Sequence, residues 1–60
     1  MKWKVRLVGF GYRLCYDDEN GERIESFDQF KIQRLCNYLN RNRIGPDITK
    51  DELKKLLEDI

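Results

Sequence analysis

The sequence contains no histidine, a single proline and only two cysteines. Without histidine there is no Ser–His or Cys–His pair to activate a nucleophile. A zinc site would lack both imidazole ligands and any CxxC spacing. Two cysteines, Cys15 and Cys36, cannot build the several bridges of a small secreted framework. Each stands in an apolar pattern, so two inert buried thiols are the expectation, with a Cys15–Cys36 bridge as the alternative if strand and helix meet there. Long hydrophobic runs are missing too. Nothing approaches the ~20 apolar residues of a membrane-spanning helix, and the N-terminus has no apolar signal core. The expected setting is cytoplasmic and away from membranes.

What is present fits one small domain over residues 1–60. Such a chain buries only about 60% of the surface it exposes when unfolded, close to the lower limit for folding alone. Large rings compensate by delivering much buried area each; the chain has seven, Trp3, Phe10, Tyr12, Tyr16, Phe27, Phe30 and Tyr38. A core this small is often supplemented by self-association or a partner.

The pattern predicts an α+β fold: a two- or three-stranded antiparallel meander (about 2–8, 11–16 and 22–26) followed by two helices (about 27–43 and 50–59) packed on one face. Alternation puts Lys2, Lys4 and Arg6 on one side of the first strand and Trp3, Val5 and Leu7 on the core side. Gly9-Phe10-Gly11 is a turn or a bulge; a turn is preferred, because three strands with helices make a sounder body than a lone ribbon. Asn20-Gly21 supplies the positive φ of a second hairpin connection, after which Ile24 should face the core while Arg23 and Glu25 face water. Ser26-Phe-Asp-Gln29 reads as a capping box opening the first helix, whose apolar face would be Phe27, Ile32, Leu35, Cys36 and Leu39. Gly45 is the expected left-handed residue after that helix, ahead of Pro46. Thr49-Lys-Asp-Glu52 is a second capping box, with Ile48 and Leu53 as a hydrophobic staple, and Leu53, Leu56, Leu57 and Ile60 form the second apolar face.

The net charge of +1 conceals blocks. Residues 1–16 and 29–46 are basic without an acid; residues 17–28 hold six acids against Arg23 alone. The clustered carboxylates Asp17, Asp18 and Glu19 fall on a turn, where water and not a desolvated substrate surrounds them, so acid–base chemistry is not expected. A calcium loop fails as well: aligning Gly21 to its glycine places Tyr16 and Phe27 where oxygen ligands are required. Gly9-Phe-Gly11 lacks the third glycine of a dinucleotide fingerprint, with Leu14 in its place.

The expectation is therefore a non-enzymatic interaction module (an adaptor, regulator or inhibitor) without cofactor, metal or small-molecule substrate, acting on a protein partner or on itself through charged patches. The candidate contacts are the acidic turn, Asp17, Asp18, Glu19 and Glu22, and a basic set, Arg34, Arg41 and Arg43. The alternative is a small DNA- or RNA-binding accessory protein. Lys2, Lys4 and Arg6 share a strand face, and Lys31, Arg34, Tyr38 and Arg41 lie near Phe30 in a helical stripe of cations and rings suited to phosphate contact and stacking. Against it stand a near-neutral charge balance and the acidic turn. A helix-turn-helix would send residues 50–59 into a groove, but their outward side chains are half acidic. The order of three strands and a helix over residues 3–39 is similar to that of the small arm-binding domains of tyrosine-type integrases, with Gly21-Glu-Arg23 and Ser26-Phe27 the closest residues. Those domains carry a lysine-rich return strand where this chain is acidic, and the likeness is one of architecture without a specific motif.

Overall fold

A computed structural model describes residues 2–17 and 22–60. Three strands, β1 (Trp3–Val8), β2 (Gly11–Tyr16) and β3 (Glu22–Ser26), precede two helices, α1 (Gln29–Arg41) and α2 (Lys50–Asp59). The strands form an antiparallel sheet in the order β1-β2-β3, which is the meander. The Asn20-Gly21 connection, with Asp18, Glu19 and the Glu22 side chain, lies outside the described residues.

Gly9-Phe10-Gly11 is a turn. Val8 pairs with Gly11, leaving Gly9 and Phe10 as a two-residue loop. Gly9 alone has positive φ there (59°), as a type II′ hairpin requires of its first loop residue. The β2–β3 register shifts between Leu14 and Cys15, a bulge that opposes two residues of β3 to one of β2.

Alternation along the sheet works as expected only at one end. Trp3 from β1, Leu14 from β2 and Ile24 from β3 are buried against Ile32, Leu35, Cys36 and Leu39 of α1 and Leu53 of α2 in one cluster. Val5, Tyr12 and Tyr16 pack partly against it. Leu7, however, is 69% exposed. Cys15 pairs with Lys4 on the other side of the sheet and is buried outside the cluster. Both cysteines are free thiols. Arg23 is half-buried instead of solvated, and its Nε is buried without a hydrogen-bond partner.

Helix α1 starts later than the Ser26 reading allows. Its N-cap is Asp28, whose carboxylate accepts from the Lys31 N–H at 3.1 Å; the Ser26 hydroxyl accepts from the Asp28 N–H at 3.0 Å, two residues too early to cap. An ionised side chain is at least as good a cap as serine and interacts better with the helix dipole. The shift leaves Phe27 before the helix, 83% exposed and outside the core.

The far end of α1 also differs. The left-handed residue is Arg43 (φ 54°), not Gly45. The Ile44 N–H donates to Leu39 O at 3.0 Å and the Arg43 N–H to Asn40 O at 3.2 Å, the paired bonds of a Schellman turn with Arg43 where glycine is usual. The turn delivers Ile44 to Trp3, whose indole N–H donates to Ile44 O at 2.7 Å. Helix α2 follows its reading. The Thr49 hydroxyl accepts from the Glu52 N–H at 3.2 Å, and Glu52 accepts from the Thr49 N–H at 3.2 Å. Ile48, Leu56, Leu57 and Ile60 pack on the core. Among the described residues, no helix is long and apolar enough to cross a membrane.

Candidate interaction surfaces

Two ends of the molecule and two broad faces present the chemistry. At the first end β1 begins, β2 finishes and α1 terminates. Asp17, held at positive φ (56°), donates its N–H to Lys2 O, and its carboxylate lies 3.9 Å from the Lys2 ammonium. Lys2, Trp3, Tyr16, Asn40 and Arg43 line an open cleft of about 250 Å³ there. Asn40 is committed: its side-chain carbonyl accepts from the Trp3 N–H at 2.9 Å and its amide donates to Trp3 O at 3.1 Å. Asp17 and Arg43, both expected contact residues, thus come to the same end. Their companions Asp18, Glu19 and the Glu22 side chain lie outside the described residues.

The outer face of the sheet, away from the helices, carries Lys4, Arg6, Arg13 and Glu25 by alternation. The Arg13 Nε donates to Glu25 at 2.9 Å, an exposed pair that offsets part of the positive field. Lys31, Arg34, Tyr38 and Arg41 are all exposed on the side of α1 turned from the core. The residues expected to touch nucleic acid are therefore split: Lys2 at the cleft, Lys4 and Arg6 on the sheet, and the other four on the opposite side of the molecule. Arg34 and Arg41 share the helix face; Arg43 sits past its end. The outward residues of α2, Lys50, Asp51, Glu52, Lys54, Lys55, Glu58 and Asp59, are exposed in mixed charge.

Among the described residues, no group of three or more His, Cys, Asp or Glu could hold a metal ion. Burial pushes the Cys36 thiol above its ordinary value of 9.0, and its Sγ donates to Trp3 O at 3.3 Å, so the thiolate is disfavoured and the group is a poor nucleophile.

The second end is apolar, and the sequence reading did not assemble it. Here the β1–β2 hairpin meets the start of α1. Phe10 at the hairpin tip is 96% exposed, and Phe30 in the first turn of α1 is 79% exposed. Phe27 and Leu7 are also exposed, and Val8 partly so. Leu7 pairs with Tyr12 across the sheet, whereas Val8 falls by alternation on the opposite face. The Phe27 ring lies 3.6 Å from where a Cβ on Gly11 would sit, at ordinary contact distance from that turn of the hairpin. Tyr12, Phe27, Gln29 and Phe30 line one open hollow with Asp28, and the Tyr12 hydroxyl approaches Gln29 Oε1 at 3.4 Å. Exposed singly, large apolar residues carry no message; grouped over several hundred Å², they mark a docking surface. The signal was in the sequence in part. Phe30 falls opposite Ile32, Leu35 and Leu39 on a helical wheel, and a two-residue hairpin forces Phe10 outward. Phe27 was hidden by the choice of Ser26 over Asp28 as cap.

Compared with known proteins, the chain matches no family model, no curated protein and no solved structure.

Proposed function

We propose that the protein is a small non-enzymatic interaction module that docks on a protein surface through its apolar end. The observation that carries the reading is the exposure of Leu7, Phe10, Phe27 and Phe30 on the hairpin and at the start of α1, with Leu7 paired to Tyr12, the Phe27 ring against Gly11, and Phe27 and Phe30 on one surface with Tyr12. Aromatic side chains on rigid elements bury much area at little entropic cost, and such residues dominate binding energy at interfaces. The charged patches at the other end and on α1 then steer and orient the encounter, contributing more to rate than to affinity. This moves the main contact from the charged residues to the rings.

The test compares variants in a capture experiment. The wild type should retain a protein that Phe10→Ser/Phe30→Ser loses and that Arg34→Glu/Arg41→Glu keeps with little change. Retention by the phenylalanine variant, or loss confined to the arginine variant, contradicts the reading. Because Phe10 and Phe30 are exposed, both variants should fold, which circular dichroism checks.

A second reading, nucleic-acid binding, draws on the exposed stripe of Lys31, Arg34, Tyr38 and Arg41, to which no described carboxylate is paired. It requires a shift of random duplex or single strand at low salt that weakens steeply as salt rises and vanishes in Arg34→Glu/Arg41→Glu. No shift by the wild type at low salt ends it.

A further inference from the structure

We infer that the partner at the apolar end is a second copy of this chain, held by a two-fold contact in which Phe10 of each protomer enters the hollow of Tyr12, Phe27 and Phe30 on the other. The inference rests on the docking reading above and deepens it.

The geometry is self-complementary. A two-fold interface needs one patch that carries both a projection and its receptacle, so that each copy gives and receives the same contact. The apolar end has both. Phe10 projects from a tight two-residue hairpin with almost its whole surface in water. Tyr12, Phe27, Asp28, Gln29 and Phe30 line a shallow, widely open depression of about 510 Å³, the Phe27 ring lying against Gly11. The two features are held in fixed relation, since the Phe27 ring abuts Gly11, the residue that follows Phe10 in the hairpin. Among the described residues nothing fills the hollow; its own Phe10 is 96% exposed.

The area suits a dimer. Three phenylalanines exposed to this extent offer on the order of 500 Å² between them. Leu7 and the Tyr12 side of the hollow extend that toward the roughly 800 Å² per partner of a standard interface. Charge agrees: Arg6 stands on the hairpin that carries Phe10, while Asp28 stands on the rim of the hollow, so opposite signs approach when the hairpin enters. A chain of 60 residues with a core of this size also gains from burying a second apolar surface.

Sedimentation velocity over a range of protein concentrations tests the proposal. The wild type should pass from monomer to dimer as concentration rises. Phe10→Ser should weaken association by about thirty-fold or more, the loss expected for a buried aromatic anchor. Phe30→Ser, which alters the receptacle and not the projection, should weaken it too, whereas Arg34→Glu/Arg41→Glu should not. Serine suits the second position of this turn, so a folded Phe10→Ser chain is expected. A wild type that stays monomeric at every concentration overturns the dimer, as does a Phe10→Ser variant that dimerises as tightly as the wild type. The docking reading fails separately: if the wild type is monomeric but loses a captured protein on Phe10→Ser, the dimer is wrong and the apolar end is still the contact. If dimer and capture both survive Phe10→Ser/Phe30→Ser, both are wrong.

Discussion

Trp3 is where the sheet and α1 are joined. Its ring is buried and meets Tyr16 edge-on at 5.0 Å, its indole N–H is taken by Ile44 O, and its backbone is bracketed by the Asn40 amide. Asn40 thus does for the open edge of β1 what a neighbouring strand would do, satisfying one N–H and one C=O. Asn40→Ala strands the Trp3 N–H and leaves its C=O with the Cys36 thiol as donor, and should cost about 1–3 kcal/mol. That is a large share of the roughly 3–9 kcal/mol available to a chain of this length, and urea unfolding measures it; an unchanged midpoint would show that water replaces the bracket. Cys36 lies next to it and adds a pH dependence. The folded thiol titrates above its ordinary value of 9.0 because burial disfavours the thiolate. The unfolded chain therefore releases this proton first, and stability falls as pH rises through and above 9. Cys36→Ala should flatten that decline in the urea midpoint, and an equal decline in the variant would assign it to other groups.

At the scale of elements, the ends of α1 decide the surface. Asp28 as cap excludes Phe27 from the helix and turns it outward; Arg43 in the left-handed region closes the other end and fixes Ile44 under Trp3. A non-glycine residue there costs about 1–2 kcal/mol in the backbone, of which glycine's greater unfolded-state freedom returns part. Arg43→Gly should accordingly raise stability by about 0.5–1 kcal/mol in thermal or urea unfolding; a loss would mean that the arginine side chain makes up for its strained backbone. The same two ends explain what could be read in advance. Strand alternation, the Thr49 capping box and the apolar spacing of Ile32, Leu35, Cys36 and Leu39 each have one physical solution, and all are realised. Ser26 and Asp28 are both competent caps two residues apart, and Gly45 and Arg43 compete for one left-handed position. Local chemistry ranks such rivals weakly, and tertiary packing decides between them. Leu7 differs for another reason: alternation sets the face of a strand, not whether a side chain on that face is covered.

At the scale of the molecule, one buried cluster joins all five elements, and the surface divides by end: charged where α1 stops, apolar where the hairpin meets its start. The charge blocks of the sequence lie across this body so that no single face collects all the cations. Rings left in water on a chain this small are costly to solubility, and a contact that covers them removes that cost. The most direct test of that claim is the accessibility of the rings themselves. A soluble paramagnetic agent should broaden the NMR ring resonances of Phe10, Phe27 and Phe30 strongly in dilute protein, leave Trp3 sharp, and lose its effect on the three phenylalanines as protein concentration rises. Rings of Phe27 and Phe30 already shielded in dilute monomer, or equally exposed at every concentration and with every partner, would contradict it.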